Sequence, residues 1–190
     1  MPTESKGYTP TIGLSFPLMD LLSTIPKPLK IFWQVRHPLD AICSLKVGIA
    51  KNWGHHPRPL DWQNWLDKPL LLQCAHHWNY LNTVGYEKVK NIASISTFES
   101  LILDTQKFAQ DVCQLINIDP QTEEEAIQNW CNRVQNTNNK KFVEAMTSRA
   151  YSTNDHIVKV GRWKENMTEE ERAIVLPFIE ETANKFGYVL

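Results

Sequence analysis

The chain has 190 residues, with 42% apolar and 22% charged side chains and a net charge of −1 from 20 basic and 21 acidic groups. That length and composition suit one ordinary globular domain able to bury about 70% of its unfolded surface without staples. The near-zero charge excludes bulk attraction to nucleic acid or an anionic membrane, so any anion site must be local.

Residues 1–29 are punctuated by Pro2, Pro10, Pro17, Pro26 and Pro28, with a short helical pattern over residues 18–23. The opening "MPTESKGYTP" lacks a basic stretch followed by an apolar core, so it is not read as a signal peptide. "KIFWQV" (residues 30–35) does not alternate polar with apolar and predicts a strand buried on both faces. Pro38 suits a helical first turn, where its missing N–H costs nothing, and that helix is expected to reach about Ala50. Residues 51–69, rich in Pro, Trp and His, form a long loop. Its Trp53, Trp62 and Trp65 suit an acceptor-binding lid, an apolar contact surface or core packing alike.

A helix follows over residues 70–84, and "NIASISTFESL" predicts a second buried strand ending at Phe98-Glu99. Residues 105–116 and 123–134 have helical patterns, whereas residues 135–160 are polar and irregular. The last helix carries explicit end signals: Thr168 and Glu171 make a capping box, and Gly187 sits at the C′ position. Strand, helix and strand with so long a crossover predict an α/β fold in three layers, a mostly parallel sheet flanked by helices. One domain is expected over residues 1–190, with residues 1–29 an irregular segment and 30–190 the core.

Ligands in such sheets bind beyond the carboxyl ends of the strands, where Arg36 and Glu99 fall. A helix N-terminus with an arginine fork suits a phosphate. Ser44 lies roughly 10 Å further along the axis at about 1.5 Å per residue, with Asp40 and His37 one and two turns before it on a similar face. A helical serine bonding back to a carbonyl and a surface arginine at a strand end are the plain alternatives.

"VRHPLDAICSL" resembles the 3′-phosphate-binding segment of the sulfotransferases that use 3′-phosphoadenosine 5′-phosphosulfate (PAPS): Arg36, Pro38, Asp40 and Ser44 fit that family's pattern. "ISTFESL" resembles its strand ending in Tyr-Glu-x-Leu, with Phe98 in place of the tyrosine near the adenine. "VGRWKENMTEEERAIVLPFIEETANKFGYVL" resembles its closing segment, in which the loop before the tryptophan covers the nucleotide. The resemblance spans roughly residues 28–190. It implies a sulfotransferase or P-loop NTPase-like fold, PAPS as donor, 3′,5′-bisphosphoadenosine (PAP) as product, and transfer of a sulfuryl group to a hydroxyl or amine. The cofactor-binding positions it implies are Arg36, Ser44, Phe98, Lys159, Gly161, Arg162 and Trp163.

The family's other signature, a Gly- and Ser-rich loop of the type Gly-Thr-Thr holding the 5′-phosphosulfate, is not found in these residues. On that ground the fold is expected to be N-terminally incomplete. The explanations, in order, are a fragment, a degenerate relative that no longer catalyses, and completion by a partner chain or a second copy. A non-catalytic nucleotide-binding or interaction module is the rival function. "SKGYTP" weakly resembles a Lys-x-Pro segment that would bring Lys6 to the sulfuryl group, against a solvated terminal lysine. The general base is expected among His37, His55, His56 and Glu99, since a histidine serves near neutral pH without a large shift. The acceptor is a small molecule, glycan, lipid or protein hydroxyl.

His55-His56 and His76-His77 suggest a metal, but neighbours on a helix point about 100° apart and no H-E-x-x-H occurs, so no metal is expected. Cys43, Cys74, Cys113 and Cys131 have no CxxC spacing and suit reduced structural thiols in a cytoplasmic protein. No apolar run approaches the ~18 residues of a membrane span.

Overall fold

The computed structural model describes residues 30–50, 52–135 and 160–190. Over those residues the protein is α/β but mostly helical: seven α-helices accompany one parallel sheet of two strands. β1 (Ile31–Val35) and β2 (Ala93–Thr97) run in register from Ile31 against Ala93 to Val35 against Thr97. Between them come α1 (Pro38–Ile49), a 3₁₀ turn (Trp62–Trp65) and α2 (Leu70–Tyr80), which continues into a π turn (Leu81–Gly85). After β2 follow α3 (Phe98–Leu103), α4 (Thr105–Leu115), α5 (Glu124–Gln135), α6 (Trp163–Asn166) and α7 (Glu169–Lys185).

Two expectations change. Neither strand is buried on both faces: Phe32 and Gln34 of β1 and Ile95 of β2 are exposed, and only Val35 of β1, 1% exposed, and Ser96 of β2 are buried. The described sheet is two strands wide, and its cover comes from helices packed on the other side chains. β2 stops at Thr97 rather than at Glu99, because the Thr97 hydroxyl accepts from the Ser100 N–H at 3.1 Å and starts α3 there.

The core lies between α1, α2 and α7. Leu39 and Ile42 of α1, Cys74, Ala75 and Trp78 of α2, and Val175, Ile179 and Ala183 of α7 form it, together with Val35 and Trp53. The α7 residues recur every fourth position, so one stripe of that helix faces inward. Both ends of α7 are tied as the sequence predicts. The Thr168–Glu171 capping box is formed, and Gly187 at φ 79° lets the Gly187 and Tyr188 N–H groups reach the carbonyls of Asn184 and Ala183. α4 and α5 pack mainly on each other around Ala109, Ile127 and Cys131. No described helix is long and apolar enough to cross a membrane.

Near its end α1 runs against the loop after it, and a Cβ at Gly48 would overlap the His55 ring. Gly48→Ala therefore sets about 1–3 kcal/mol of overpacking against about 1 kcal/mol of helix propensity. A net loss of about 1 kcal/mol is expected in thermal melts; a raised Tm would refute the close contact.

Candidate functional site

The chain leaves β1 at Val35 and turns through Arg36 and His37 into α1, and that turn is pinned from three sides. The Trp78 indole donates to the Arg36 carbonyl at 3.1 Å, and the His37 N–H donates to Glu99 Oε1 at 2.9 Å. The Tyr188 hydroxyl donates to Glu99 Oε2 at 2.7 Å. Glu99, in the first turn of α3, thus joins the β1–α1 turn to the segment after α7. Each of its oxygens accepts a hydrogen bond, so it orients the turn, and each keeps a second lone pair. Burial, followed by the Glu99 hydrogen bond and charge, pushes the Tyr188 phenol far above its ordinary range and keeps it a donor.

Asp40 is 1% exposed, and its two oxygens accept from the Gly161 N–H at 2.7 Å and the Trp163 N–H at 2.8 Å. These charge-assisted bonds fix the segment before α6 on the first turn of α1. Gly161 adopts φ 80°, a left-handed conformation natural for glycine. The residue sequence reasoning placed on an anion-lining face is a clamp on the backbone of the C-terminal segment. Local pattern carried no signal for that, since the partner groups lie 121 and 123 positions away.

The guanidinium of Arg36 sits over the Phe98 ring with Cζ 4.5 Å from its centre. Its Nε is buried and has no hydrogen-bond partner among the described residues. Burial lowers the Arg36 pKa; Asp40 and Glu99 oppose that, and the charge of Arg162 adds to it. Arg36 and Arg162 therefore share one neighbourhood. The His37 ring stacks on Trp163 (centroids 5.9 Å apart, planes 7° apart) and meets Tyr188 edge-on at 5.4 Å. Its Nδ1 is buried and has no partner among the described residues. Burial lowers its pKa against the opposing charges of Asp40 and Glu99, which favours a neutral ring able to accept a proton. Trp163 also receives the Arg172 guanidinium at 5.4 Å and the Lys164 ammonium at 5.8 Å.

Arg36, His37, Phe98, Glu99, Gly161, Arg162 and Trp163 thus come together from three distant stretches of sequence. Tyr188 belongs with them and was missed as a site residue; its only advance signal was its place after the helix-ending glycine. Ser44 is exposed, and its hydroxyl bonds to no other described residue; helical spacing sets it one turn beyond Asp40. Lys6 and Lys159 lie outside the described residues. His55 packs against Gly48, about 15 Å along α1 from the turn at 1.5 Å per residue, so it is remote from Arg36. The tryptophan-rich loop is core rather than an open lid surface: Trp53 is fully buried, and Trp62 and Trp65 pack against the same cluster.

His76 and His77 separate as their spacing requires: His76 Nε2 lies 2.8 Å from Asp61 Oδ1, and His77 takes the Trp53 indole. No group of three or more His, Cys, Asp or Glu among the described residues could hold a metal. Burial pushes the Cys74 thiol up to about 12 and the Cys43 and Cys131 thiols upward, which keeps them protonated and poor nucleophiles. Compared with protein-family models, with curated proteins and with solved structures, the chain matches none.

Proposed function

We propose that the β1–α1 turn grips the 3′-phosphate of PAPS or PAP in a cytoplasmic, sulfotransferase-like domain whose full sheet has the three-layer α/β arrangement. The observation that carries this is the Asp40 clamp. It brings the Gly161–Trp163 segment, and with it the charge of Arg162, onto a helix N-terminus where Arg36 already has a buried Nε with no described partner. Two guanidiniums repelling each other at a helix N-terminus suit an anion between them.

The residues present fit one half of such a nucleotide. Arg36, Arg162 and Ser44 would hold the phosphate, Phe98 would lie near the adenine, and Lys159, Gly161 and Trp163 would form the cover. Bound PAPS supplies an activated sulfuryl group. His37, whose buried Nδ1 has no partner among the described residues and whose pKa burial lowers, is the residue of this chain best suited to take the proton of an acceptor hydroxyl or amine. The acceptor class is a small molecule, a glycan, a lipid or a protein hydroxyl. Donors for the 5′-phosphosulfate are not evident in the 190 residues. A partner chain, a second copy or further sequence would supply them, and turnover by this chain alone is expected to be weak or nil. A purely nucleotide-binding module is the second reading, favoured by the engagement of both Glu99 oxygens in holding the fold.

Calorimetry with PAP tests the grip. Arg36→Ala should weaken binding about 10- to 100-fold, the loss of charged hydrogen bonds worth about 1.5–3 kcal/mol. Adenosine 5′-phosphate, without the 3′ group, should bind both proteins alike. Equal and negligible heats for PAP with both proteins would sink the proposal, and sustained turnover with PAPS would reject the non-catalytic reading.

A further inference from the structure

A second device lies at the other end of α1, independent of any nucleotide. Trp53 is fully buried, yet it and Asn52 hold φ values of 52° and 53°, a left-handed conformation that bulky residues rarely adopt. The contacts that hold the indole in place therefore also sustain a strained backbone. Its Nε1–H donates to His77 Nδ1 at 2.9 Å, and its carbonyl accepts from Arg58 Nε at 2.8 Å. Arg58 in turn covers the Trp62 ring, with Cζ 4.6 Å from its centre.

The His77 imidazole is 3% exposed, and as acceptor on Nδ1 it must carry its proton on Nε2. A second proton would set one N–H against another in a buried place. The charges facing it are those of His55 and His56 in the loop and His76 on its own helix, and each opposes its protonation. No carboxylate is among them. At the far end of the loop the contacts have the opposite sense. His76 Nε2 lies 2.8 Å from Asp61 Oδ1, and its ring stacks on Trp65 at 3.9 Å, contacts that gain from a positive imidazole.

We infer that Trp53 and His77 form an acid-opened latch: closed with a neutral imidazole, it releases residues 52–60 when His77 is protonated, while the Asp61–His76 end stays attached. Burial, with the neighbouring histidines adding to it, lowers the His77 pKa from 6.5 to about 3 in the closed form. The open form takes up the proton first. The closed state is therefore fully favoured above about pH 6.5 and loses a factor of about ten per pH unit as the pH falls from there toward 3.

Hydrogen exchange of the full chain at pH 7.5, 6.5 and 5.5, corrected for intrinsic exchange rates, reads this out. Protection of amides in residues 52–60 should drop about tenfold between pH 7.5 and 5.5, most of it below pH 6.5, with residues 70–80 unaffected. His77→Asn, whose amide oxygen can still accept from the indole but does not titrate, should abolish that slope. Equal slopes in the two proteins, or unchanged wild-type protection between pH 7.5 and 5.5, overturns the latch. Should the variant fail to fold, NMR titration of the wild-type imidazole decides. A His77 ring that protonates near pH 6.5 while loop protection holds refutes it, and protonation only together with loss of protection supports it.

Discussion

Asp40→Ala is expected to lower the melting temperature by about 6–12 °C and to free the Gly161–Trp163 segment from α1. The carboxylate is buried and accepts two backbone N–H groups, each such charged hydrogen bond being worth about 1.5–3 kcal/mol. The sum is not fully lost, because the freed N–H groups can swing toward water. A net cost of about 3 kcal/mol follows, and a domain of this size loses about 2–4 °C per kcal/mol. The change also removes the carboxylate that most favours protonated Arg36 and unseats Trp163 from the His37 ring. Asp40→Asn should fall between, since one amide oxygen serves one N–H while its NH2 faces the other. Differential scanning calorimetry with exchange over residues 160–166 measures both effects; a Tm within about 2 °C of wild type and unchanged protection there would show that the clamp contributes little.

Trp53→Ala is expected to cost about 3–5 kcal/mol, the usual range for removing a buried indole. The cavity would open where the indole now meets α1, α2 and the Trp62 ring, and His77 Nδ1 would lose the indole N–H that it accepts from. Alanine keeps a Cβ, so the left-handed conformation of residue 53 stays as costly as before and offsets none of this loss. Trp53→Phe separates the two contributions. It keeps most of the burial and deletes the N–H, so it should cost about 1–2 kcal/mol. Urea titrations should show a lower midpoint with the slope unchanged. If Trp53→Ala shifts the midpoint no more than Trp53→Phe, packing is not what holds the loop.

Elements with a local cause were legible. Pro38 started α1, Thr168 with Glu171 started α7, and Gly187 ended it, because each satisfies backbone groups within a few residues of itself. The strand at residues 93–97 was foreseen, but its end was not: the Thr97 hydroxyl competes for the chain and wins it for a helix. Burial of β1 was overstated because an apolar run records what a strand can tolerate, and neighbours decide what is covered.

At the candidate site, Arg36, His37, Phe98, Glu99 and the Gly161–Trp163 segment were each singled out from short motifs. Their assembly and their roles were not. Glu99 and Asp40 turned out to spend both oxygens on backbone and phenol donors far away in the chain. The Trp53–His77 pair had no signature at all, since an indole donating to an imidazole requires only proximity.

By itself the amino-acid sequence determined where α1 and α7 begin and where α7 ends, that a cation stands at the close of the first described strand, and that bulk charge is too small to choose a partner. Tertiary structure alone decided which carboxylates are engaged, which histidine ring is kept neutral by burial, and which tryptophan is core. Hydrogen bonds across more than a hundred residues and desolvation depend on what the folded chain brings alongside a group, and no window of neighbouring residues contains that information.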